Sequence, residues 1–197
     1  MSDLDRDHWN ARYLDRSGAI KVQQPEPFLV EVASILPTEG RALDIAGGDG
    51  RNGIWLAGRG LDVTVADVST EALRLAESQA RASRVSITTL AIDLDCDPIP
   101  PGPWNLVVCV LYLNRPLLAA IADHLGPDGL LLVVHPTVRN LERFDRPGAR
   151  YLLGDGELPK LLDGWTILRS EESWRTDSSG RHDARCLARK PAILARP

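Results

Sequence analysis

The chain has 197 residues, with 23 lysines and arginines against 27 aspartates and glutamates and a formal net charge of −4. That length holds one domain with a full core and falls short of two typical ones, and the acidic balance argues against a nucleic-acid partner, whose phosphates select a strongly basic face. Three scattered cysteines, Cys96, Cys109 and Cys186, form no CxxC or Cys/His cluster and point to neither a disulfide framework nor a metal site.

In chain order, Asp5 to Asp15 places Trp9 and Tyr13 at helical spacing, and Pro27 to Leu36 does the same with Phe28, Val32, Ile35 and Leu36, so two helices are expected before any strand. From Arg41 to Asp67 the sequence reads as strand, glycine-rich turn, apolar helix and a second buried strand ending on a carboxylate. Ser69 or Thr70 can cap a helix reaching Ser83. Val85 to Ile92 predicts a third strand, and the prolines of DCDPIPPGP then forbid regular structure. Trp104 to Val110, apolar but for Asn105, predicts a fourth strand, as expected for a parallel strand buried on both faces.

Leu117, Leu118, Ile121, Ala122 and Leu125 predict an amphipathic helix, GPDG at 126–129 a turn, and Leu130 to His135 a fifth strand. An arginine-rich segment from Pro136 to Leu153 is expected over the ligand edge of the sheet, followed by a short helix near Glu157 to Leu162. The end differs in kind. Trp165 to Trp174 and Asp183 to Lys190 flank the polar turn TDSSGRH, and the second alternates Ala184, Cys186 and Ala188 against Arg185, Leu187 and Arg189, which predicts one small inward face.

Gly48, Gly50 and Gly53 satisfy GxGxxG, so a nicotinamide or flavin dinucleotide is one reading of the turn. A pyrophosphate there would meet Asp44 and Asp49, and these carboxylates suit a phosphate-free, cationic cofactor better. Asp44 to Gly53, DIAGGDGRNG, followed by IWLAGRG, resembles motif I of the class I S-adenosylmethionine-dependent methyltransferases. Within that superfamily it is most similar to the tellurite-resistance and thiopurine methyltransferase group, in which Arg-Asn follows the turn. The usual motif has glycine where this chain has Ala46. The resemblance implies an α/β, doubly wound, mostly parallel seven-stranded sheet with a C-terminal antiparallel hairpin. It implies a single methyltransferase domain over 1–197, with helices in 1–40 covering the cofactor site and an α/β core in 41–197.

Ligands of open α/β sheets sit beyond the carboxyl ends of the strands. The backbone of Ala46, Gly47 and Gly48 is therefore assigned to the methionyl part of S-adenosyl-L-methionine, Asp67 to the ribose and Val68 to one adenine face. Asp93 is expected to accept the adenine amine while Leu94 covers the ring, and Cys109, Val110 and Leu111 to close the floor under the sulfonium. Asp44 either faces the cation or only braces the turn. For Asp67 and Asp93 the alternative is a solvated strand end or helix cap.

Substrate-side candidates are Tyr13, Tyr112 and His135, with His8, Trp9, Asn114, Arg139 and Arg143 beside them. Each has a structural alternative: packed core for Tyr112 and His135, a helix anchor for Trp9, and a solvated loop face for Arg139, Arg143 and Arg146. The fourth strand ends in VLYLN rather than the Asp/Asn-Pro-Pro-aromatic sequence of nucleic-acid amino-methylating enzymes, which favours a small-molecule acceptor.

The expected reaction is methyl transfer by in-line displacement. A nicotinamide-dependent oxidoreductase and a non-catalytic nucleoside-binding protein are the alternatives. The longest apolar runs, 107–113 and 130–134, are too short to span a bilayer, and the acidic opening MSDLDRD is no signal peptide. The expected setting is the cytoplasm, as monomer or homodimer, with no membrane partner.

Overall fold

The computed structural model describes residues 3–14 and 23–191. Asp15, the last residue of the first expected helix, lies outside them. Helices α1 (Asp3–Leu14) and α2 (Pro27–Glu31) precede the alternating part. That part runs β1 (Arg41–Ile45), α3 (Arg51–Ala57), β2 (Asp62–Asp67), α4 (Thr70–Ala82), β3 (Thr88–Ala91), β4 (Trp104–Val110), α5 (Arg115–Ala120) and β5 (Leu125–Pro136). Helix α6 (Glu157–Leu161) and strands β6 (Thr166–Trp174) and β7 (His182–Arg189) complete it.

One seven-stranded sheet results, in the order β3-β2-β1-β4-β5-β7-β6. Strands β1 to β5 pair in parallel, while β7 is antiparallel to both β5 and β6. Period-two alternation divides the apolar side chains between two layers. Leu43, Ile45, Val107, Cys109, Leu131 and Val133 pack with Leu117, Leu118, Ile121 and Leu158 on one face. Ala42, Leu106, Val108 and Leu132 pack with Phe28, Leu29, Leu56 and Leu73 on the other. Both faces are covered, so β4 is apolar from Leu106 to Val110, and its polar residue, Asn105, lies exposed near its start. Because β1 lies between β2 and β4, the chain winds away from it in both directions, and a crevice opens at its carboxyl end.

Several expected elements differ in extent. Helix α2 stops at Glu31, although Val32 and Leu36 remain buried while Ile35 is exposed. Pro37 disfavours helical backbone at Leu36, and the segment turns instead. Strand β3 keeps four residues of the expected eight because it lies at the sheet edge and only Thr88 to Ala91 find partners on β2. The helix over 115–125 ends at Ala120 in a 3₁₀ turn, Ile121–His124, and Leu125 already belongs to β5. GPDG is not a free turn but an irregularity inside β5. Leu125 pairs with Trp104 and Leu130 with Leu106, which leaves 126–129 opposite Asn105, with Asp128 in the left-handed region. In strand β7 Leu187 is buried along with Ala184, Cys186 and Ala188, because the strand lies inside the sheet between β5 and β6, while Arg185 and Arg189 keep part of their surface open.

Candidate functional site

The crevice is a cavity of about 1610 Å³. Its floor is the turn that joins β1 to α3. Gly47 donates to the Ala66 carbonyl at 3.1 Å, Gly50 to that of Gly47 at 3.0 Å, and Ile54 to that of Gly50 at 2.8 Å, so the loop closes tightly on β2. A Cβ at Gly47 would stand 2.8 Å from the Asp44 carboxyl, and one at Gly48 would collide with the Tyr13 hydroxyl. Glycine is therefore required on both sides of the turn, and Tyr13 lies against it. Ala46 holds a left-handed backbone, φ +49°, at the place where the usual motif has glycine.

Asp44 and Asp67 take different parts. The Asp44 carboxylate is buried beneath the turn. Its Oδ2 accepts the Gly53 amide at 3.0 Å and its Oδ1 has no hydrogen-bond partner among the described residues. Burial pushes its pKa up to about 7, against the opposing effects of the Gly53 amide and the Arg51 charge. Asp67 reaches the cavity. Its Oδ2 accepts the Gly48 amide and its Oδ1 the Ser69 amide, both at 2.8 Å, while burial still raises its pKa.

Ser69 caps α4 by accepting the Ala72 amide at 3.1 Å and donates its hydroxyl to Asn10 Oδ1 at 2.9 Å. The same Asn10 oxygen accepts the Glu71 amide at 3.3 Å. These bonds dock α1 on the N-terminus of α4 and bring His8, Trp9 and Tyr13 to the cavity.

Of the remaining cofactor-side expectations, Ala46, Gly47, Gly48, Val68, Leu94, Val110 and Leu111 line the cavity. Asp93 and Cys109 are set behind its wall. Asp93 braces the loop after β3, its Oδ1 accepting the Asp95 amide at 3.1 Å and its own amide bonding to Asp97 Oδ2 at 3.0 Å. The Cys109 thiol is fully buried, bonds to the Tyr112 carbonyl at 3.3 Å, and is pushed by burial up to about 12.

On the other side, the Tyr112 hydroxyl donates to Asp95 Oδ1 at 2.5 Å, and Asn114 Nδ2 reaches the same oxygen at 2.9 Å. Burial and that bond raise the phenol's pKa, so Tyr112 stays protonated. His135 is buried, and its Nε2 lies 2.9 Å from the Tyr151 carbonyl. A carbonyl only accepts, so Nε2 carries the hydrogen and Nδ1 is a bare lone pair, without a partner among the described residues. Burial lowers the imidazole pKa and keeps it neutral.

Comparison with protein families matches residues 42–129 to the model described as "Methyltransferase domain". The matched stretch runs from β1 into the irregular opening of β5 and contains the glycine turn and Asp67. No curated protein matches the sequence. Among solved structures, TehB from Haemophilus influenzae superposes with a TM-score of 0.71 at 22% identity, covering 94% of this chain and 66% of that one. This chain thus spans slightly under two thirds of TehB. Magnesium protoporphyrin IX methyltransferase (ChlM) from Synechocystis PCC 6803 with bound SAH gives 0.72 at 18% identity, covering 95% and 99%. The [4+2]-cyclase SpnF gives 0.68 at 20% identity, covering 84% and 80%. The fold is that of the class I S-adenosylmethionine-dependent methyltransferases.

Beside the turn, the arginine-rich segment contributes less charge to the cavity than its sequence suggests. Arg139 pairs with Glu142 at 3.0 Å and Arg143 stacks 3.7 Å over the Trp174 ring, which leaves Arg146 of the three on the cavity lining. A buried ionic cluster was not foreseen. Glu26 Oε1 accepts Arg175 Nη1 at 2.6 Å, and that nitrogen also lies 3.2 Å from Asp183 Oδ2, which Arg181 Nη2 approaches at 3.1 Å. The Glu26 amide donates to Asn52 Oδ1 at 2.8 Å. Three segments are thereby fastened together: the irregular stretch before α2, the first turn of α3, and the β6–β7 hairpin. Glu26 and Arg175 are 149 residues apart, and no local pattern pairs them. Only Asn52, in the Arg-Asn pair after the turn, carried a sequence signal.

Proposed function

We propose that this chain transfers the methyl group of S-adenosylmethionine to a small molecule in the cytoplasm. The observation that carries this reading is the charge and shape of the turn at the carboxyl end of β1. Its glycines leave no space for a Cβ, Asp67 stands on its rim, and Asp44 Oδ1 lies beneath it without a partner among the described residues. Such a cradle suits a cationic nucleoside and opposes a pyrophosphate. When bound, that cofactor supplies a methyl group already activated on a sulfonium.

The chain's own residues hold and align the reactants. Each Asp67 oxygen accepts one backbone amide and has a further lone pair for a ribose hydroxyl. Val68 and Leu94 flank the adenine, and the backbone of 46–48 follows the methionyl chain. The cavity volume exceeds the roughly 300–1,000 Å³ usual for one ligand, which leaves room for an acceptor beside the nucleoside. Holding the two in line can supply up to about 7–11 kcal/mol of barrier reduction. Among the candidates the Tyr112 phenol keeps its proton and the bare Nδ1 of His135 is buried away from the open cavity, so an acceptor that attacks without first losing a proton, such as a thiolate, fits best.

The test is incubation with methyl-labelled S-adenosylmethionine and a cell extract, followed by separation by size. Label in the small-molecule fraction supports the reading. Label in protein or nucleic acid overturns it.

A further inference from the structure

Arg51 follows the glycine turn directly, and the cofactor assignments leave it without a task. It opens α3 and lines the cavity beside Gly48 and Asp49. Its side chain is 25% exposed, and its one ion pair is a loose contact of 3.7 Å to Glu26 Oε2. The Glu26 carboxylate is committed elsewhere, at 2.6 Å to Arg175. Arg51 makes no hydrogen bond among the described residues, so its donors remain available to a ligand.

The other arginines of the cavity are differently placed. Arg175 and Arg181 are neutralised by Glu26, Asp177 and Asp183. Arg12 stands over the Trp9 ring at 5.3 Å, and Arg146 is exposed at the mouth next to Asp145. Around the turn itself three carboxylates gather, Asp44, Asp49 and Asp67, and Arg51 is the cation near enough to act on the Asp44 charge. This set is lopsided for a simple cation. It matches a zwitterion, whose ammonium meets the carboxylates and whose carboxylate needs a guanidinium.

We propose that Arg51 selects the cofactor by binding the carboxylate of its methionyl group, turning from Glu26 to that anion. The proposal rests on the reading of the cavity as a site for S-adenosylmethionine. It makes Arg51 a specificity-determining residue, and it gives the two members of the Arg-Asn pair separate duties. Asn52 holds the chain at Glu26, and Arg51 faces the ligand.

Two ligands differing only in that carboxylate test it: S-adenosylhomocysteine and its decarboxylated analogue, S-adenosyl-3-thiopropylamine, titrated calorimetrically into wild type, Arg51→Gln and Arg51→Lys. Wild type is expected to prefer S-adenosylhomocysteine by about 10- to 100-fold, the range for a hydrogen-bonded charge pair. Arg51→Gln is expected to lose that preference while binding the decarboxylated compound as wild type does, and Arg51→Lys to keep part of it. Equal weakening of both ligands in Arg51→Gln would assign Arg51 a structural role and overturn the proposal, as would no weakening of either. Wild type binding neither nucleoside would instead defeat the cofactor reading, and this inference with it.

Discussion

The Asp67 carboxylate accepts the backbone amide of Gly48 at 2.8 Å, which ties the end of β2 to the turn after β1. The residue that lines the cavity thus also holds the shape of its floor. Replacing Asp67 by alanine removes the charged acceptor from both tasks. Affinity for S-adenosylhomocysteine is expected to fall by about 1–3 kcal/mol, with Asp67→Asn between the two. Titration calorimetry measures it, and unchanged affinity in Asp67→Ala would place the ribose elsewhere.

Ala46 adopts φ +49°, a conformation that costs an L-residue about 1–2 kcal/mol and glycine almost nothing. Glycine's greater freedom in the unfolded chain takes back about 0.4–1 kcal/mol. Ala46→Gly is therefore expected to stabilise the fold by about 0.5–1 kcal/mol. A higher urea midpoint at unchanged slope is the expected sign. A lower midpoint would mean that the methyl group's contacts outweigh the backbone strain.

Asp44 gives stability a dependence on pH. Its folded pKa of about 7 lies above the ordinary 3.8, so the folded state binds the extra proton between these values. The contribution is complete below about pH 4 and lost as pH rises through 7. Asp44→Asn cannot titrate, so the stability of wild type relative to this variant is expected to decline from pH 4 to pH 7 and then level off. Denaturation at a series of pH values reads this directly. A difference that grows with pH would show an Asp44 ionised and stabilised in the fold.

The strands, the turn and the terminal hairpin were legible because each is a local pattern. Residues 106–110 are apolar on both faces, Gly47 and Gly48 precede an apolar helix, and 183–190 alternate. What the sequence concealed depends on partners far along the chain. Strand β3 is shortened by the pairing reach of β2, and GPDG becomes part of β5 because Leu125 finds Trp104. Within the site, strand-end position located Asp67, Val68, Leu94 and Val110 on the cavity but could not tell which face Cys109 shows. That is decided by side-chain alternation, which turns Cys109 into the core with Leu43 and Val133. Asp93 was displaced by a local competitor, the amide of Asp95, which occupies its carboxylate. The Glu26–Arg175–Asp183 cluster joins residues from both ends of the chain, so no spacing announces it.

The central claim is that the cavity at the carboxyl end of β1 takes a phosphate-free adenosine compound. Titration of the purified chain with S-adenosylhomocysteine and with NAD tests it most directly. The account predicts saturable binding of the first, one molecule per chain, and no heat from the second. Binding of NAD with none of S-adenosylhomocysteine would contradict it.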